Sequence, residues 1–374
     1  MPALLDTVDP DGLLEYSVVY TDRSVNHMSA LFQGTMREIS RIMKSVYRAE
    51  SAIVVPGSGT FGMEAIARQF ATGTRCLVIR NGLFSFRWSQ IFETGRIPSS
   101  ETVLKARRTG DGPEAPFAPV PIAEAAAAIR TEKPDLVFAP HVETSSGMML
   151  PDSYIKTLAD AVHGHGGMLV VDCVASGAIW LDMAALGIDI LVTAPQKGWS
   201  GPPCCAMVAL GKDARARIDA TASTSFSCDL KKWLEIMETY EKGKHAYHAT
   251  PPTDSLVALR RVMAEMEAFG FGAGKSAQQR LGAEVRTLLA GKGFRSVAAP
   301  GFEAPGVAVF YTSDPDIQSG KKFIDQGMQI APGVPIKCDE GADYRSFRVG
   351  LFGLDKLKNV ERTVGKLAEV LGKI

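Results

Sequence analysis

The chain has 374 residues, of which 46% are hydrophobic, 22% charged and 8% aromatic, the make-up of an ordinary globular protein too long for one compact core. Forty-one basic and forty-one acidic residues cancel to a formal net charge of zero, which removes the electrostatic footprint of a nucleic-acid binder and leaves a small molecule as the expected partner. Six cysteines without framework spacing read as reduced thiols, and neither a basic leader in Met1 to Gly12 nor a membrane-length apolar run is present, so a cytoplasmic protein with no membrane contact is expected.

Helical and strand patterns alternate from about residue 29 to about residue 210, as in an α/β protein with a doubly wound, mostly parallel sheet. In chain order the expected strands are Ala52 to Val55, Cys76 to Ile79, Leu136 to Ala139, Met168 to Val171 and Ile188 to Val192, all short apolar runs of the kind buried on both faces. Amphipathic helices are expected at Ala123 to Arg130 and Ser153 to Val162, with residues 103–120, rich in Arg, Gly and Pro, as a surface connection. After Pro251 the texture turns to α+β: helices from Asp254 to Phe269 and near Gln278 to Ala290, short strands at Gly306 to Tyr311 and Ser346 to Gly350, and a closing helix from Asp355 to Gly372. These patterns divide the chain into an N-terminal segment (1–28), a large domain (29–252) and a smaller C-terminal domain (253–374).

Two of the apolar runs lead to ionisable groups. Met168 to Val171 ends in the carboxylate of Asp172, and Ile188 to Val192 leads to the isolated amine of Lys197. The interval between them fits a strand, a crossover and a strand, so neighbouring parallel strands present an acid and an amine at the sheet edge where open α/β folds bind ligands. Pyridoxal 5'-phosphate (PLP) needs that pair: a lysine for its aldehyde and a carboxylate for its ring nitrogen. A third element, Gly57-Ser58-Gly59-Thr60-Phe61-Gly62, follows a strand and opens a helical stretch, so its N–H groups, hydroxyls and helix N-terminus form a phosphate cradle. The same loop matches G-x-G-x-x-G. On that alternative reading the chain is an NADP-dependent oxidoreductase, with Arg80 taking the 2'-phosphate.

Gly57-Ser-Gly-Thr60, Asn81-Gly-Leu-Phe84, His141-Val-Glu-Thr-Ser-Ser-Gly147, Val171-Asp-Cys-Val-Ala-Ser176, Pro195-Gln-Lys197, Tyr247-His-Ala-Thr-Pro251 and Arg348-Val-Gly-Leu351 follow one another in an order that resembles the class V PLP-dependent aminotransferases, the alanine/serine:glyoxylate group above all. The resemblance implies fold type I (aspartate aminotransferase-like), built as a homodimer with its active sites at the subunit interface. It implies ping-pong transfer of an amino group from a small amino acid to a 2-oxo acid, glyoxylate or pyruvate. By position, Lys197 would form the Schiff base with PLP and move the proton, and Asp172 would pair with the ring nitrogen. Phe84 would stack on the ring and Thr144 would meet its phenolic oxygen. Ser58, Gly59, Thr60 and Gln196 would hold the phosphate from one subunit, with Tyr247 and Thr250 reaching it from the other. Arg348 would take the substrate carboxylate bidentately.

Simpler readings stand beside these. Lys197 is also compatible with a snorkelling surface lysine, Asp172 with a helix cap, Phe84 with a core aromatic, Tyr247 and Thr250 with a turn before Pro251, and Arg348 with an ion pair. Cysteine desulfurases resemble the same family and use a mobile cysteine, for which Cys338 is the candidate. Gln196 before the lysine and Phe84 at the stacking position favour transamination instead. The family's Gly-Pro-rich opening turn is replaced here by Leu13 to Tyr20, which leaves substrate identity open.

Overall fold

The computed structural model describes residues 6–374, so Met1 to Leu5, and with them part of the sequence read for a leader, lie outside it. Seven strands form the central sheet: β1 (Ser51–Pro56), β2 (Arg75–Arg80), β3 (Ser100–Lys105), β4 (Leu136–Pro140), β5 (Met168–Asp172), β6 (Ile190–Thr193) and β7 (Cys205–Leu210). Their spatial order is β1-β7-β6-β5-β4-β2-β3. Only β7 runs against its neighbours; every other pairing is parallel. Apart from β3, the parallel strands are buried along almost their whole length, as helices on both faces require, and this is why they stand out as apolar runs.

Three local differences from the sequence expectations have physical causes. β6 begins at Ile190 because the Asp189 carboxylate is engaged by the Leu169 N–H (2.7 Å) and by His163 (2.8 Å). Residues 103–120 are more than a surface connection: they begin with the second half of β3, one of the sheet's two edge strands, and Arg107–Arg108 then pairs with Phe117–Ala118 in a small hairpin. Unlike β1 at the opposite edge, which is buried, β3 is exposed at Ser100 and Glu101 and only half-buried beyond, which gave it its polar, unstrand-like start. The closing helix is split at Asn359 into Leu354–Lys358 and Val360–Leu371.

The helices used below are α1 (Ala30–Tyr47), α2 (Gly59–Ile66), α3 (Leu83–Gly95), α4 (Ile122–Glu132), α5 (Asp152–His163), α6 (Leu230–Glu241), α7 (Thr253–Phe269), α8 (Phe271–Gly291) and α9 (Val360–Leu371). Ser29 caps α1 by accepting the Phe32 N–H at 3.1 Å, and the buried face Phe32, Met36, Ile39 and Met43 packs against α6 and α7. A second, antiparallel sheet of β8 (Val307–Tyr311), β9 (Ala331–Pro332) and β10 (Ser346–Gly350) has β10 in the middle and α8 packed on β8. α8 starts seven residues earlier than its apolar periodicity suggests, through a glycine-containing first turn. Among the described residues no helix is long and apolar enough to cross a membrane.

Candidate active site

The carboxyl ends of five parallel strands converge on one cavity of about 200 Å³. After β1 come Ser58, Gly59 and Thr60; after β2, on the first turns of α3, come Phe84 and Arg87; after β4 comes Thr144; β5 ends in Asp172; and four residues beyond β6 lies Lys197, preceded by Gln196. The register pairs Val192 of β6 with Asp172 of β5, which fixes the acid and the approach to the amine side by side. Lys197 is held in a tight turn, where the Ser200 N–H donates to its carbonyl (3.2 Å) and the Gly201 N–H to that of Pro195 (2.9 Å). α2 reaches the cavity because Gly62, the third glycine of the loop motif, lies flat against the sheet: a Cβ there would sit 2.4 Å from Ala206 Cβ and 2.9 Å from Val192 Cγ2.

Burial sets the electrostatics. Asp172 is 7% exposed, its Oδ1 accepts the Val174 N–H at 2.8 Å, and burial raises its pKa to about 6, with Glu143 adding to the rise and Lys197 and Arg87 opposing it. Burial likewise lowers the Lys197 amine, helped by the Arg87 and Arg348 guanidiniums and opposed by Asp172 and Glu143. The amine is therefore shifted toward the neutral form that can attack a carbonyl or accept a proton. Among the described residues neither the Lys197 amine nor Asp172 Oδ2 takes a hydrogen-bond partner within the chain.

The eight residues assigned to one subunit's cofactor site, Ser58, Gly59, Thr60, Phe84, Thr144, Asp172, Gln196 and Lys197, thus line one cavity. Arg348 stands at its edge, 6.0 Å from the Phe84 ring centroid, with its Nε donating to the Pro332 carbonyl at 2.9 Å. Tyr247 and Thr250 lie apart on the surface, hydrogen-bonded to each other at 2.9 Å. Two residues escaped the sequence reading. Arg87 lines the cavity, donates to Thr60 Oγ1 at 2.9 Å and lies 5.2 Å from the Phe84 centroid; its spacing of three from Phe84, which puts both on one helical face, was the available signal. Glu143, fully buried, sits inside the motif that supplied Thr144 but had no assigned role.

The alternatives fare differently. Arg80 is unavailable to a 2'-phosphate: its guanidinium is buried, bonded to Ser89 Oγ at 2.7 Å and stacked 4.5 Å from the Phe86 centroid. Cys338 is buried away from the cavity against the Arg80 carbonyl, and burial pushes its thiol up to about 12, the opposite of a reactive cysteine. A larger depression of about 880 Å³ between residues 112–116 and the end of β8 is an open surface groove in which Arg295 and Glu114 face each other at 3.6 Å. No amine and carboxylate meet there over a phosphate cradle.

Residues 13–334 match the family model of class-V aminotransferases. The chain belongs to that family. As a class-V aminotransferase it is a PLP-dependent transaminase that moves an amino group between an amino acid and a 2-oxo acid. Among curated relatives it is 28% identical over 340 residues to the 2-aminoethylphosphonate–pyruvate transaminase 2 of Polaromonas sp., covering 88% of this chain and 85% of that protein. It is 24% identical to a protein of Synechococcus sp. named the small subunit of soluble hydrogenase, over 94% of this chain and 88% of that one. Among solved structures, the alanine–glyoxylate aminotransferase of Nostoc sp. superposes with a TM-score of 0.78 at 22% identity, covering 93% of this chain and 89% of that one, which shows fold type I.

The cavity of this class-V aminotransferase has the donor set that PLP requires. An amine without a partner, a carboxylate oxygen without a partner, an aromatic ring between two guanidiniums and the uncapped N-terminus of α2 all meet in it. The Phe61 N–H is taken by the Ser58 carbonyl (2.9 Å), but among the described residues the Gly59 and Thr60 N–H groups have no acceptor and the Ser58 side chain makes no capping bond, so these two donors are free for an anion.

Proposed function

We propose that this aminotransferase works by a ping-pong cycle in which Lys197 is both the residue that holds the cofactor as a Schiff base and the residue that moves the substrate proton. The observation that carries the reading is the β5–β6 register, with Val192 opposite Asp172, which leads Lys197 into the same cavity as the Asp172 carboxylate and the α2 N-terminus. When bound, PLP supplies an aldehyde for the amine and a ring that takes up the electrons of the substrate carbanion. Asp172 holds a proton at the ring nitrogen. Ser58, Gly59, Thr60 and Gln196 bind the phosphate, Thr144 orients the ring oxygen, and Phe84 covers one ring face. Lys197, shifted toward its neutral form by burial, accepts the proton from the substrate Cα. Arg348 orients the substrate by its carboxylate with a planar fork that suits a planar anion.

The acceptor on this reading is pyruvate or glyoxylate, supported by the transaminase relatives. The donor is a small amino acid. A homodimer is supported by the large apolar residues left in water: Leu13, Tyr16, Val18 and Phe226 are each more than three-quarters exposed, and Phe61 and Tyr247 about half exposed. In the dimer Tyr247 and Thr250 of one subunit would meet the phosphate held by its mate. The change of texture after Pro251 supports a boundary at 252/253 between the large and small domains. Six free, buried cysteines favour a reducing compartment, the cytoplasm.

The test is spectroscopic, then kinetic. The purified enzyme with PLP should show a near-visible band that borohydride bleaches and that Lys197→Ala lacks, and a screen of amino donors against pyruvate and glyoxylate should discharge it. A colourless protein that takes up no PLP would overturn the proposal.

A further inference from the structure

Glu143 is 0% exposed, and no lysine or arginine forms an ion pair with it among the described residues. Its carboxylate is met instead by donors from two segments. Oε1 takes the Phe84 N–H (3.3 Å), the Ser145 N–H (3.0 Å) and the Ser145 hydroxyl (2.7 Å). Oε2 takes the Ser85 N–H (2.8 Å) and stands 2.9 Å from the Ser85 hydroxyl, which itself accepts the N–H groups of Asn81 (2.9 Å) and Gly82 (3.0 Å). The Leu83 N–H donates to Ser145 Oγ at 2.9 Å. The first three N–H groups of α3, which a helix cannot satisfy internally, are therefore all capped from the loop after β4. The approach is so close that a Cβ on Gly82 would lie 2.1 Å from Ser145 Oγ and 2.5 Å from Glu143 Cγ. Phe84 is the second residue of the turn so fixed, and its ring lines the cavity between Arg87 and Arg348.

We propose that Glu143 is a positioning residue for cofactor binding: its carboxylate clamps the first turn of α3 to the loop after β4 and thereby holds the Phe84 ring at the height at which it covers the cofactor. The inference rests on the PLP reading above and goes beyond it in naming what presents the ring. A capping carboxylate is usually supplied by the helix's own cap residue. Here the cap is the extended Gly82, which has no side chain, and the function has passed to a residue on another strand end. The buried charge costs desolvation, which five convergent donors offset. The same carboxylate acts on Lys197, Asp172 and Arg348, so the clamp and the charges of the site form one unit.

Glu143→Gln keeps the shape but turns one acceptor oxygen into an N–H donor that faces other donors. The measurement is the PLP dissociation constant of the cofactor-free enzyme, followed by the near-visible band, for wild type, Glu143→Gln, Phe84→Leu and the double variant. Each single variant should bind PLP roughly tenfold more weakly, and the double variant should stay within about threefold of either single, because both act through the same ring. Unchanged PLP affinity in Glu143→Gln, or losses that multiply in the double variant, would overturn the proposal. So would a fall in Tm that is equal with and without PLP and leaves affinity untouched. Ser145→Ala, which removes the hydroxyl between Leu83 and Glu143, carries the same comparison if Glu143→Gln does not fold. A wild-type enzyme that forms no band at all would refute the cofactor reading, whereas a normal wild-type band with an indifferent Glu143→Gln would refute this inference alone.

Discussion

Asp172 should destabilise the cofactor-free protein. Burial raises its pKa from 3.8 to about 6, against the pull of the Val174 N–H and of Lys197. The folded value lies above the unfolded one, so the folded state binds the proton more tightly. Stability is therefore lost as pH rises from about 3.8 through about 6, and the loss is complete above it. A difference of roughly two units is worth about 3 kcal/mol at full ionisation. Asp172→Asn keeps an oxygen for the Val174 N–H and removes the ionisation. The cofactor-free variant should then be more stable than wild type by up to about 3 kcal/mol at pH 8, with the gain shrinking toward pH 4.5, where the wild-type carboxyl is mostly protonated. Urea denaturation of both proteins across this range, at matched protein concentration, reads the difference. In the presence of PLP the order should reverse, because the ring nitrogen loses its partner. A gain that is missing at pH 8 would refute the reasoning, as would one equally large at pH 4.5, which would mark a packing effect rather than a charge.

Gly62→Ala should cost about 1–3 kcal/mol by overpacking, since the new methyl meets the Ala206 Cβ, which cannot rotate away. Denaturant midpoints measure it, and a neutral result would show that α2 can lift off the sheet freely. Arg348→Lys should leave the near-visible band intact while lowering kcat/KM for both substrates by roughly tenfold to a hundredfold, because a point charge replaces a planar fork. An equal loss of the band would place Arg348 in cofactor binding instead.

The central strands were legible because helices cover both faces of the sheet, so β2, β4, β5 and β6 are written almost wholly in apolar residues. That Asp172 and Lys197 share one cavity was legible for the same reason: an acid and an amine just beyond such runs must stand at the carboxyl edge. β3 was missed, and its second half read into the connection at 103–120, because none of its residues is buried, whereas β1 at the other edge of the sheet is covered and reads as apolar. Arg87 was missed because it enters from a helix, where the signal is a spacing of three from Phe84 rather than the end of a strand. Glu143 was missed for a deeper reason. Two of its partners, the Phe84 and Ser85 N–H groups, are main-chain donors nearly sixty residues away, and no side-chain pattern records which backbone a carboxylate will cap.

The charges of the site argue what must enter it. Lys197, Arg87 and Arg348 stand about a cavity in which the carboxylates of Asp172 and Glu143 act on Lys197, and burial pushes the Lys197 and Arg348 cations toward deprotonation. Glu143 is committed to the α3 N-terminus, so its charge is already shared among five donors. Of these two acids, Asp172 keeps an oxygen without a hydrogen-bond partner among the described residues. The cation excess is relieved by anions from outside, and aminotransfer brings two: the cofactor phosphate, which the proposal above seats at α2, and the substrate carboxylate, which it seats at Arg348. Phosphate alone should therefore bind the cofactor-free protein and protect it against urea, more weakly than PLP does, and this protection should fall in Arg87→Ala while surviving in Arg348→Lys. Protection lost equally in both variants would mean that the two guanidiniums serve a single anion.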